Sequence, residues 1–133
     1  MTEQKPYHIL VVDDNQDLLN YLRMLLAPRY QITCASNGKE ALDLLSELMP
    51  DLVISDVMMP VMDGMELSRR VKSNFAISHI PFLMLTAKTS NESRKIQPVV
   101  THELSGRLSR QILHFFVHQT FLTPIASMKS LIS

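Results

Sequence analysis

With 133 residues, 46% of them hydrophobic and 20% charged, the chain is sized for one globular domain with a single core and lacks the low hydrophobicity of disordered chains. Lys plus Arg and Asp plus Glu are both 13, so no basic excess argues for nucleic acid or a membrane as direct partner. The polar start Met1-Thr2-Glu3-Gln4-Lys5-Pro6 is unlike a secretory leader, no apolar stretch approaches the roughly twenty residues of a membrane span, and the single Cys34 excludes a disulfide framework. A cytoplasmic protein is expected.

In chain order, short apolar runs alternate with helix-period segments. His8 to Val12, Tyr30 to Cys34, Asp51 to Ser55 and Pro81 to Leu85 read as buried parallel strands, because apolar residues occupy successive positions. Between them, Gln16 to Ala27 places Leu18, Leu19, Leu22, Leu25 and Leu26 on one stripe and stops at Pro28. Gly38 to Met49 sets Ala41, Leu42, Leu45 and Leu48 against a charged face and stops at Pro50, and a third helix after Gly64 uses Met65, Leu67 and Val71. Strands alternating with helices predict βαβ units and an α/β, doubly wound parallel sheet, in the flavodoxin-like order 2-1-3-4-5. Such sheets bind ligands outside the carboxyl ends of their strands, where strand order reverses.

Chemistry is therefore sought at strand ends. The first strand ends in Asp13-Asp14 and the third in Asp56; in the flavodoxin-like order these strands are neighbours, so three carboxylates converge. Two unit charges about 4 Å apart repel by roughly 4 kcal/mol at an effective dielectric of 20, a large share of a small domain's stability. A few hard oxygen ligands suit Mg²⁺, and Mg²⁺ beside a carboxylate nucleophile suits phosphoryl transfer, in which the protein mainly positions the group and supplies donors. The fourth strand ends Leu85-Thr86-Ala87, adding a hydroxyl and a small neighbour at that edge. Taken singly, Asp13 or Asp14 reads equally well as an ordinary helix N-cap.

These residues resemble the receiver domain of bacterial response regulators and hybrid sensor kinases. Ile9-Leu10-Val11-Val12-Asp13-Asp14-Asn15 is similar to the family's acidic-pair strand, Asp56-Val57-Met58-Met59-Pro60-Val61-Met62-Asp63-Gly64 to its phosphoacceptor loop, and Pro81-Phe82-Leu83-Met84-Leu85-Thr86-Ala87 to its fourth strand, over residues 7 to about 94. The resemblance implies a signalling switch rather than an enzyme. Asp56 would accept the phosphoryl group from a histidine kinase or phosphotransfer domain, and Thr86 would contact it and move on activation. Asp14 would bind Mg²⁺ directly and Asp13 largely through water, with Asp56 and the main-chain carbonyl of Met58 completing the set. Met58 and Lys88 occupy positions that influence hydrolysis of the acyl phosphate. A dimer of receivers is a further partner it allows, with residues 1–6 as a linker if the chain belongs to a larger protein. On physical grounds Gly64 is expected to permit a turn conformation closed to other residues, and Pro60 to stiffen the loop.

The likeness ends near Arg94. The family's lysine position falls on Leu108 without gaps, or on Arg110 if two residues are inserted; Arg107 then replaces an aromatic, and a planar guanidinium is not equivalent to a compact ammonium. Residues 94–133 hold one acid, Glu103, against five Lys or Arg and three His. This ending reads as an altered-frame or non-native segment, a divergent fifth strand and helix, or a partner-binding segment. His114 and His118 are four apart, but no Glu follows His114 as in a zinc-protease motif. A missing lysine also admits a pseudo-receiver, an interaction module without productive phosphorylation. A haloacid-dehalogenase-like phosphatase fits poorly, since it expects two acids spaced by one residue on the first strand.

Overall fold

The first three helices each begin on a side chain that accepts an otherwise unpaired backbone N–H. Asn15 accepts from Leu18 at 3.2 Å, Asn37 from Glu40 at 2.9 Å and Asp63 from Glu66 at 2.8 Å. Each also carries an acid in its first turn, Asp17, Glu40 and Glu66, which favours the positive end of the helix dipole. The computed structural model describes residues 6–90, 93–99 and 107–122, and the side chains of 6–85 and 107–114. Within these bounds the elements run β1 (His8–Val12), α1 (Gln16–Leu26), β2 (Gln31–Ala35), α2 (Gly38–Leu48), β3 (Leu52–Asp56), α3 (Gly64–Ser73), β4 (Phe82–Ser90), β5 (Ser93–Val99) and α4 (Arg107–Leu122).

The sheet has the order β2-β1-β3-β4-β5, with β2, β1, β3 and β4 parallel. Continuous apolar strands serve two cores because alternate residues face opposite ways. Ile9, Val11, Ile54, Leu83 and Leu85 pack with Leu19, Leu22 and Leu26 of α1 and with Leu108 and Ile112 of α4. Leu10, Val12, Val53, Phe82 and Met84 pack on the other side with Ala41 and Leu45 of α2 and Leu67 and Val71 of α3. Each fully buried Leu, Ile or Phe contributes roughly 1.5–3 kcal/mol by leaving water. Among the described residues no helix is long and apolar enough to cross a membrane.

Boundaries shift in three strands. The second starts at Gln31 rather than Tyr30, and the third starts at Leu52. Asp51 instead brackets the strand entrance: its N–H donates to the His8 carbonyl at 2.7 Å and its carboxylate accepts from the His8 N–H at 2.8 Å. The fourth continues from Leu85 to Ser90, because it gains a partner there.

The fifth strand, which the sequence left open, departs from the parallel pattern of the other four. β5 is antiparallel to β4, in the register Thr86 with Gln97, Lys88 with Lys95 and Ser90 with Ser93. Only Asn91 and Glu92 connect the two strands. A parallel partner needs a crossover of a dozen or more residues, whereas a two-residue link closes a hairpin. The last helix then covers the α1 side of the sheet.

Candidate functional site

Register brings the acids together. Val12 pairs with Ser55, and Asp56 with Leu85, so β1, β3 and β4 reach the carboxyl edge side by side. One oxygen from each of Asp13, Asp14 and Asp56 lies within 4.8 Å of the other two. Asp13 is buried, Asp14 exposed and Asp56 half-buried. The N-cap role open to either leading acid falls to Asn15. Asp13 instead accepts the Asn15 N–H at 2.8 Å.

Burial pushes the Asp13 carboxyl up to about 7; the Asn15 N–H opposes this, while the charges of Asp56 and Asp14 add to it. Desolvation thus outweighs the like-charge repulsion on which the sequence argument rested. Relief by a cation would act on both.

The backbone around Asp56 is held on several sides. Ser55, buried in β3, donates its hydroxyl to the Asp56 carbonyl at 2.9 Å, and the Val57 N–H donates to the Leu85 carbonyl at 3.0 Å. The Met58 N–H donates to Asp56 Oδ1 at 3.4 Å, a long bond. Gly64 packs on the same peptide: a Cβ there would lie 2.2 Å from the Asp56 carbonyl oxygen. Close approach is therefore the reason for glycine, and Gly64 opens α3 instead of supplying an unusual turn angle. The unusual angle belongs to Val61, with φ 70, where the Met62 N–H donates to the Pro60 carbonyl at 2.8 Å. This is the positive φ and i to i+2 bond of a strained γ-turn. Sequence inspection missed Ser55 and Val61. A polar residue inside the run Leu52-Val53-Ile54-Ser55 signals the first, whereas nothing local signals the second.

The donor set fits a hard divalent cation. All candidate ligands are oxygens, and Mg²⁺ held at about 2.1 Å sets its donors roughly 3–4 Å apart, so small side-chain rotations would close a cluster that spans 4.8 Å.

A family model for the response regulator receiver domain matches residues 9–111. The chain belongs to that family. Its members are signalling switches of two-component phosphorelays, not enzymes in the ordinary sense. This receiver is 36% identical over 115 residues to the sensor histidine kinase TmoS of Ectopseudomonas mendocina, covering 78% of the chain and 12% of the kinase. It is 42% identical over 90 residues to the response regulator MprA of Mycolicibacterium vanbaalenii, covering 67% of the chain and 38% of that regulator. The receiver thus spans only a small part of these relatives. Among solved structures, the N-terminal domain of a response regulator receiver protein from Methanoculleus marisnigri is 41% identical, with TM-score 0.60 over 65% of this chain and 71% of that one. The chemotaxis protein CheY4 of Vibrio cholerae is 35% identical, with TM-score 0.59 over 65% and 73%.

The remaining candidates of the receiver site divide between the acidic edge and α4. Thr86 follows Leu85 on β4 at the acidic edge, with its hydroxyl outside the described side chains. Leu108 is buried in the α1-side core. Arg110 is exposed on α4 next to Gln111 and Ile112, which line a cavity of about 610 Å³ with Leu25, Leu26, Arg29 and Tyr30. That cavity adjoins the end of α1, whose 11 residues span about 16 Å from the start beside Asp14. Arg110 is not brought to the carboxylates. Arg107, in the place of an aromatic, is exposed. His114 is exposed at the same cavity, the His118 side chain and all of His102 lie outside the described residues, and the histidines join no metal-capable group among those described.

Proposed function

We propose that this receiver accepts a phosphoryl group on Asp56 from the phosphohistidine of a kinase or phosphotransfer domain and so acts as a switch. The P–N bond to histidine breaks as a P–O bond to Asp56 forms, and the imidazole leaves with the electron pair. The observation that carries the reading is the meeting of three carboxylates from two strands within 4.8 Å, with the third half-buried and reachable from solvent. Asp13, Asp14, Asp56 and the Met58 carbonyl would hold Mg²⁺. When bound, the ion supplies charge neutralisation for the incoming phosphoryl oxygens. Asp13 and Asp14 fix that charge at the edge, and Ser55 and Gly64 hold the Asp56 backbone against recoil. Thr86 contacts the phosphoryl group and transmits its arrival along β4.

The pseudo-receiver reading draws support from Leu108 and Arg110, neither of which offers a cation beside Asp56. Acetyl phosphate with Mg²⁺ separates the two. The switch requires a phosphoryl mass gain on the wild type that is lost in Asp56→Asn; an unlabelled wild type leaves the pseudo-receiver. A cytoplasmic site of action accords with a kinase partner.

A further inference from the structure

α2 begins against the loop that follows Asp56. The first N–H groups of a helix have no partner within it. Two at this start are satisfied locally: Asn37 accepts from the Glu40 N–H at 2.9 Å, and the Glu40 carboxylate accepts from the Ser36 N–H at 3.2 Å. The Gly38 N–H instead reaches across to another element and donates to the Met62 carbonyl at 3.2 Å. A Cβ on Gly38 would lie 2.6 Å from that carbonyl oxygen and 2.9 Å from Met62 Cβ and Cγ. Glycine is therefore required here for space, and Gly38 and Gly64 bracket one loop, the first packed on Met62 and the second on the Asp56 peptide.

The loop between them has little freedom. Its ends are tied by the Gly64 N–H donating to the Val57 carbonyl at 2.9 Å, Pro60 fixes one φ, and the Met62 N–H donates back to the Pro60 carbonyl at 2.8 Å. Within it, Met58 donates its N–H to Asp56 Oδ1 at 3.4 Å and bears the main-chain carbonyl proposed for Mg²⁺. A push at Met62 thus reaches Met58 unless α2 gives way. The helix is the stiffer side, because its Ala41 and Leu45 are fully buried, whereas Met58 and Val61 are 76% and 79% exposed and lose few contacts by moving.

We infer that Gly38 is a positioning residue for the cation site: through Met62 it sets where the Met58 carbonyl stands relative to Asp13, Asp14 and Asp56. It supplies no ligand. Its close approach makes a helix anchored in the core the backstop of a largely exposed loop. This inference rests on the three carboxylates and the Met58 carbonyl holding Mg²⁺.

Isothermal calorimetry with Mg²⁺ alone tests it on the full chain, on Gly38→Ala and on Lys39→Gly, which weakens the same turn of α2 at an exposed position and adds no atoms beside Met62. Gly38→Ala should weaken Mg²⁺ binding about tenfold, the scale seen when groups that support metal ligands are changed, while Lys39→Gly stays within about twofold of wild type. Wild-type affinity in Gly38→Ala, or an equal loss in Lys39→Gly, overturns the positioning assignment alone. A wild type that binds no Mg²⁺ overturns the metal reading and this inference with it. Hydrogen exchange in the wild type gives a measure that needs no variant to fold. If the seam positions the loop for the cation, the cation must by linkage tighten the seam. Mg²⁺ should then slow exchange of the Gly38 N–H several-fold and leave that of Ser36, bonded to Glu40, unchanged. A Gly38 N–H that slows no more than that of Ser36 overturns the assignment whatever the variants do.

Discussion

The segment from β1 to Leu85 and the segment from Thr86 to α4 both cover one sheet, yet they draw on different kinds of support. In the first, every helix has a capping side chain and an acid in its opening turn. In the second, α4 has no acid in its first turn, which instead holds Arg107 and Arg110, charges of the wrong sign for that end of the dipole. What holds α4 is packing: Leu108 and Ile112 are buried against the α1 side of the sheet. Local preference and tertiary burial agree in one segment and are separated in the other.

The sharpest way to break this comparison is to cut equivalent anchors. Leu45 and Ile112 are both essentially inaccessible to solvent. Leu45→Ala should cost about 2–5 kcal/mol in urea unfolding. Ile112→Ala should cost only about 1–2 kcal/mol, because a helix without local support undocks before the rest unfolds and its opening energy caps the loss. Hydrogen exchange would then be faster throughout α4 than in α2. Equal losses and equal protection would put both helices in one cooperative unit.

The acid edge gives the next largest effect. Asp13 titrates at about 7 in the folded chain against 3.8 ordinarily. Between those values the folded form holds a proton that the unfolded form has lost, so stability falls as pH rises through the window, by at most roughly 4 kcal/mol in all. Below about 3.8 both states are protonated, and above about 7 neither is. Without metal, Asp13→Asn should therefore be more stable than wild type at pH 7.5, with the gap narrowing towards pH 5. Mg²⁺ should recover wild-type stability at pH 7.5. A gap that does not change with pH would remove desolvation of Asp13 as its origin.

These contrasts follow the division between what was legible in the chain and what was not. Apolar runs, Pro28 and Pro50 mark β1 to α2 closely because period, stop signals and caps coincide there. The acids were legible for the same reason: Asp13, Asp14 and Asp56 end runs that must lie side by side in this strand order. The direction of β5 was not, since Ser93 to Val99 carries a β-period no different for a parallel or an antiparallel neighbour, and only the two-residue link decides. Nor was the family's lysine position, since spacing borrowed from a parallel fifth strand does not transfer to a hairpin. The role of Gly64 was misjudged, since sequence alone does not distinguish a glycine required for space from one required for angle.

The smallest effects lie in the loop after Asp56, where those two requirements occur three residues apart. At Gly64 the conformation is ordinary and the space is missing, with the Asp56 carbonyl 2.2 Å from any Cβ. At Val61 the space is open, with the residue 79% exposed, and the conformation is wrong for a β-branched side chain at φ 70. Gly64→Ala must displace the Asp56 peptide and should cost about 1–3 kcal/mol, with slower phosphoryl uptake because the proposed acceptor moves. Val61→Gly relieves strain of about 1–3 kcal/mol but adds unfolded-chain freedom worth about 0.5–1 kcal/mol, leaving a net gain of about 1 kcal/mol. If strain at Val61 helps hold the loop beside Asp56, that more stable variant should also take up phosphoryl groups more slowly. A variant that is more stable and equally fast would mean that the γ-turn is only a cost, and that Gly64 with Ser55 suffices to position the acceptor.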